Sequence, residues 1–339
     1  MRASVFTPAA ISSFFAARIR REDGSPIDDP LEAGAVGGGF ALRAGVRTSA
    51  SVRPREGGGI RIRVLINGRE EEAPTTRAAA SMVLGRIGVP GADVEIRHES
   101  SVPIGSGFGT SASGAMGAAL AISIAMGRPL PVVEASRVAH AADVVSGTGL
   151  GTAEGLVAGG VGLVVEPGAL WRGRVEKIPL PRSLVVVAVH FGPIDKRMML
   201  RSPDALEGAN RAGREALRRV LASPDVRTLM SEARRFAEES GMGDREMLSV
   251  ADDLVRAGAL GATQNMIGRA VHAVVRRADL GRVVAEASRH GGDVIVSGIH
   301  DGGPVSWSRG RADPGGWAGP SGARCSRPGR AGSWTATLP

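Results

Sequence analysis

Tyrosine is absent from this chain, cysteine occurs once, at Cys325, and lysine twice, at Lys177 and Lys196. A lone thiol excludes an internal disulfide framework and a cysteine metal cluster. With aromatics at 3%, the core has to be built from Ala, Val, Leu, Ile and Met, with seven phenylalanines at hand. Long apolar runs are missing too: the longest weakly polar stretch, residues 112–126, is too short and too rich in glycine to span a bilayer. The first 20 residues lack the apolar run of a signal peptide, so a cytoplasmic protein without a membrane partner is expected. The formal net charge is +8, but residues 302–339 hold five arginines against Asp313, so half of the excess lies there. That distribution reads as solvated basic surface, and nucleic acid is not an expected partner.

What is abundant is glycine, 49 residues in 339, and it concentrates in residues 103–127, PIGSGFGTSASGAMGAALAISIAMG. Gly105, Gly107 and Gly109 permit dihedrals and close approaches that a Cβ forbids. Thr110, Ser111 and Ser113 follow at the start of a small-residue helix, where unpaired N–H groups and the positive end of the dipole attract an anion. A Walker A loop needs a lysine before its Ser/Thr, and none is here. The dinucleotide fingerprint needs a glycine at the sixth position from Gly105, where Thr110 stands. The bland alternative is a strand-to-helix connection that merely packs tightly, for which the hydroxyls would be superfluous.

Along the chain, strands are expected at residues 3–11, 60–66, 92–98, 160–165, 184–190, 270–275 and 293–297. Helices are expected at residues 75–87, 131–145, 203–221, 227–239, 244–257 and 279–290. Pro8 punctuates the first strand, Gly37–Gly39 reads as a bulged turn, and Asn67-Gly68 after IRIRVLI signals a hairpin. The Pro/Gly-rich interval 166–182 is the best boundary, giving units 1–180 and 181–301. From Gly302 the chain reads as disordered, or as translation past a frameshift.

The P-x-G-x-G-F-G-T-S-A pattern resembles the phosphate-binding motif of the GHMP kinase superfamily. FTPAAISSFF, DDPLEAGAVGGGF, AHAADVVSGTGLGT, HFGPIDKRMML and ATQNMIGRAVHAVV resemble, more narrowly, the archaeal pantoate kinases, over about residues 3–299. The resemblance implies an α+β, two-domain fold: a ribosomal S5 domain 2-like N-terminal domain and a ferredoxin-like C-terminal domain. It implies a kinase that uses ATP and Mg²⁺ to phosphorylate the 4-hydroxyl of (R)-pantoate in coenzyme A biosynthesis, a homodimer being left open. The alternatives are mevalonate, homoserine or shikimate as acceptor, or a silent ligand sensor of the same fold.

By the same resemblance, Pro103, Gly105, Ser106, Gly107, Phe108, Gly109, Thr110 and Ser111 form the ATP-binding loop. Ser111 and Ser113 supply hydroxyls to phosphates and metal, and Asp143 stands where relatives usually have a glutamate magnesium ligand. His140 matches a position near the substrate; otherwise it is a histidine satisfied on its helix face. Thr152 stands where many relatives have the aspartate that takes the hydroxyl proton, and a threonine cannot be a carboxylate base. Glu154 is then either a substitute base or a surface charge. Ser12, Ser13, Gln264 and Asn265 fall on the substrate side, Lys196 could face a phosphate or carboxylate, and Arg43 or Arg47 could pair the pantoate carboxylate.

Overall fold

The computed structural model describes residues 1–181, 183–192 and 203–307, and the structural statements below concern those residues. The first sheet is built from β1 (Arg2–Arg18), β2 (Gly34–Pro54), β3 (Gly59–Ile66), β4 (Arg69–Glu70), β5 (Gly91–Ser100), β6 (Val161–Glu166) and β7 (Arg174–Ile178). Its central strand β2 is long enough to serve two neighbours, with Gly37–Phe40 pairing β6 and Val46–Pro54 pairing β5. The second sheet takes β8 (Leu184–His190), β9 (Gly261–Gln264), β10 (Ala270–Arg276) and β11 (Asp293–Gly298) in the order β11-β8-β10-β9, antiparallel throughout. A last strand, β12 (Val305–Trp307), returns to the first sheet and pairs β1.

Helices α1 (Pro74–Arg86), α2 (Thr110–Ala125), α3 (Val132–Ser146) and α4 (Thr152–Ala158) pack together on the first sheet. The small residues of α2 let it lie in the middle of that layer, buried nearly all round; a Cβ on Gly117 would stand 2.3 Å from Thr48 Oγ1. The remaining helices are α5 (Pro203–Ala222), α6 (Val226–Glu239), α7 (Arg245–Arg256) and α8 (Leu280–Ala287). β8, LVVVAVH, shows why an unbroken apolar run means burial on both faces. Val185, Val187 and Val189 face α7 and α8, whereas Leu184, Val186 and Ala188 join a core with α5, α6 and the Phe14 and Phe40 side chains of the first sheet. That shared core is closed by Phe15 against Phe236, ring centroids 5.7 Å apart. The α+β class holds.

The expected hairpin at Asn67-Gly68 is present, with φ of 50° and 84° joining β3 to β4. Four expectations need correction. β1 does not end at Ile11 but runs on to Arg18, absorbing Pro8 in a register shift between Pro8 and Ala9. Gly37–Gly39 is not a turn: it is strand, its bare backbone admitting β1 so closely that a Cβ on Gly39 would lie 2.0 Å from the Ile11 carbonyl. Between the helix expected at 244–257 and the strand expected at 270–275, residues 261–264 form an additional strand, β9. The tail does not leave the fold at Gly302, because β12 pairs Ser4–Phe6 of β1; residues 308–339, like Lys196, lie outside the described residues.

Candidate active site

A cleft opens where β1, β2 and β6 meet the glycine loop, the α3–α4 connection and the β9–β10 turn. The loop enters it through two left-handed glycines. Gly107 has φ 81°, and a Cβ there would lie 2.8 Å from Asn265 Cβ; Gly109 has φ 61°, and a Cβ there would lie 2.8 Å from Thr152 Cγ2. Gly109 is also the N-cap of α2 and provides no side-chain cap, so the first-turn donors of a 16-residue helix are left for an outside acceptor at the positive end of its dipole. Thr110 and Ser111 line the cleft beside them. We expect Gly107→Ala to weaken MgATP binding about tenfold, since a left-handed alanine costs roughly 1–2 kcal/mol. Calorimetric titration of the folded variant checks this.

Across the cleft stands Asp143, from the last turn of α3, the only carboxylate among the described residues that line it. Its Oδ1 accepts a 2.7 Å hydrogen bond from Thr148 Oγ1, and Gly149 leaves room for Oδ2, where a Cβ would come within 2.6 Å. Thr148 is in turn 2.8 Å from Thr75 Oγ1, so the carboxylate is held from behind. A carboxylate facing helix N–H donors and hydroxyls suits a hard cation that carries polyphosphate, since Mg²⁺ takes one or two carboxylates and keeps water or phosphate for the rest.

Ser12 and Thr152 also reach the cleft. The other expected residues do not. Ser113 is fully buried, and its hydroxyl donates to the Pro8 and Gly109 carbonyls at 2.7 and 3.1 Å, tying α2 to β1. Phe108 is a core side chain, and Ser106 is buried with its hydroxyl 3.3 Å from the Ile104 and Gly192 carbonyls. Pro103 and Gly105 turn the chain outside the cleft wall. Gln264 accepts from the Asp244 N–H at 2.8 Å, and Ser13 and Asn265 are enclosed and bonded to His272. Arg43 packs over Gly298 and Arg47 lies 3.8 Å from Glu99, both away from the cleft.

His140 and Glu154 form an interior pair, Nδ1 to Oε1 2.9 Å, with His140 Nε2 donating to the Ala33 carbonyl at 2.8 Å. Glu154 is therefore neither a surface charge nor open to the cleft. Burial disfavours the charged imidazole, but the Glu154 carboxylate, the Ala33 carbonyl and the Asp143 charge outweigh it and raise its pKa above 6.5.

Sequence reasoning missed Thr148, Met266 and Ile267 as cleft residues. Ile267 has φ 55°, an unfavourable conformation for a β-branched residue, and no sequence pattern announces it.

The family model described as GHMP kinases N terminal domain matches residues 75–155, which carry the glycine loop, Asp143 and Thr152. The pantoate kinase of Thermococcus kodakarensis is 32% identical over 276 residues, 80% of this chain and 87% of that protein. The chain belongs to the pantoate kinase family. The pantoate kinase of Methanospirillum hungatei is 25% identical over 90% of this chain and 96% of its own length. A solved structure described as a phosphotransferase related to the CoA biosynthesis pathway superposes with TM-score 0.79 and 27% identity, covering 92% of this chain and 100% of that one. A homoserine kinase from Cytophaga hutchinsonii, 19% identical with TM-score 0.57 over 90% of this chain and 97% of its own, shares the fold. Among the described residues no helix is long and apolar enough to cross a membrane.

Proposed function

We propose that this chain transfers the γ-phosphoryl group of ATP to the 4-hydroxyl of (R)-pantoate. The observation that carries the reading is the placement of the uncapped N-terminus of α2 opposite Asp143 in one cleft. The N–H groups of the first turn and the Ser111 hydroxyl receive the phosphates, as helix N-termini do. Asp143 and Ser111 would hold Mg²⁺, which when bound neutralises charge on the phosphates. Ser12 lines the cleft and Arg43 and Arg47 do not, so hydroxyls and N–H groups would meet the pantoate carboxylate.

In the transfer the pantoate oxygen bonds to the γ-phosphorus as the bond to the ADP oxygen breaks, and the hydroxyl proton leaves. Among the described residues no carboxylate is assigned to take that proton: Asp143, the one that lines the cleft, is given to Mg²⁺, Thr152 has none, and Glu154 is engaged with His140. A loose transition state leaves little proton to remove until late, so catalysis rests on positioning and charge. Thr152→Val is therefore expected to keep turnover, whereas removing a true general base costs about 10²–10⁴-fold.

Coupled ADP release with MgATP tests the assignment, with (R)-pantoate beside mevalonate, homoserine and shikimate. Pantoate-dependent release is expected. Release with mevalonate and none with pantoate would overturn the choice of acceptor.

A further inference from the structure

His272 in β10 is fully enclosed and takes no part in the transfer described above. Burial lowers its pKa to about 3, so the ring is neutral and needs one donor and one acceptor partner. It has both. Nδ1 lies 2.9 Å from Asn265 Oδ1, and Nε2 lies 2.9 Å from Ser13 Oγ. Asn265 Nδ2 donates to the Ser106 carbonyl at 3.4 Å, which leaves Oδ1 as acceptor and orders the chain. By this hydrogen-bond logic, Ser13 donates to Nε2, Nδ1–H donates to Asn265, and Asn265 donates to Ser106.

Both ends of this chain adjoin the cleft. Ser13 is the bulged residue of β1, at the register shift between Ser12 and Phe14, and its neighbour Ser12 lines the cleft while accepting the Met266 N–H at 3.0 Å. The other end holds the carbonyl that precedes Gly107, and Asn265 Cβ fills the space a Gly107 side chain would need. Between them the turn carries Ile267 at φ 55°, a conformation that persists only where its surroundings determine it. A loop of glycines and serines has much freedom to lose on meeting a ligand. A buried, fully satisfied chain of hydrogen bonds removes that freedom beforehand.

We propose that Ser13, His272 and Asn265 form a positioning relay that runs from β1 of the first sheet, through His272 of the second, to the phosphate loop and sets Ser106–Gly107 for the nucleotide. The proposal rests on the ATP-binding reading of the cleft. None of the three side chains lines the cleft, so each acts through the backbone it holds.

The test uses two amides that each imitate one imidazole nitrogen. His272→Asn places its amide near Nδ1 and can keep the bond to Asn265; His272→Gln places it near Nε2 and can keep only the bond to Ser13. MgATP affinity is measured by calorimetry without acceptor, then KM for each substrate and kcat in coupled ADP release. His272→Gln is expected to weaken MgATP about tenfold, the loss of roughly one buried hydrogen bond. His272→Asn should restore most of that affinity, with KM for pantoate and kcat at saturating ATP little changed in both. Equal MgATP affinity in wild type and His272→Gln overturns the relay, as does an equal loss in both variants with matching loss of stability. Should His272→Gln fail to fold, Asn265→Ala removes the link to the Ser106 carbonyl and is expected to weaken MgATP about tenfold; unchanged affinity overturns the proposal. Wild-type protein that does not bind MgATP overturns the ATP reading and the relay with it, whereas binding by wild type with unaltered variants sinks the relay alone.

Discussion

Asp143→Asn is expected to lower kcat for pantoate-dependent ADP release by about 10²–10³-fold, the roughly 3–4 kcal/mol that one preorganised charge-stabilising group supplies. The side chain keeps its size and can still accept from Thr148, so the change removes charge and little else. Among the described residues no other carboxylate lines the cleft to take over. Thr148→Val tests the same point from behind: it keeps the charge and releases the carboxylate from its 2.7 Å anchor. A smaller loss is expected there, expressed in kcat rather than in stability. Coupled ADP release at saturating MgATP reads both, and an Asp143→Asn enzyme running at the wild-type rate removes Asp143 from the chemistry.

His140→Leu is expected to cost about 3–5 kcal/mol of stability, because it strands the Glu154 carboxylate in the interior without its partner. The intact pair has a pH signature. The folded chain raises the His140 pKa above 6.5, so it holds the proton more tightly than the unfolded chain does. The stabilisation is complete below about pH 6.5, the unfolded value, and is lost as pH rises through the raised folded value. Glu154→Gln keeps the shape and removes the charge that raises the pKa, so its stability should fall less steeply over that range. Urea midpoints at a series of pH values measure the difference, and parallel slopes for the two proteins would refute it.

How far this site was legible in the sequence follows from which physical rules are local. The glycine loop was readable because a positive φ at Gly107 and Gly109 and an open helix start are properties of adjacent residues. Asp143 was legible through the family resemblance, which sets it where relatives usually have a glutamate, and not from any local rule. Ser111 and Ser113 could not both face a ligand: two residues apart on an α-helix is a rotation of about 200°, and Ser113 took the buried side. Ser12 and Ser13 divide in the same way, one toward the cleft and one toward the core. What the sequence hid was pairing at a distance. His272 bonds Ser13 across 259 positions, and only the fold brings Glu154 beneath His140.

The return of Val305–Trp307 to the first sheet bears on where this chain can be cut or extended. That strand covers the start of β1, pairing Ser4, Val5 and Phe6. Ending the polypeptide at Asp301 would bare a row of N–H and C=O groups beside Val5 and Phe6, a ready template for a strand from another molecule. Shortened protein ending there invites self-association that has nothing to do with the cleft. A terminus just past Trp307 leaves that border capped.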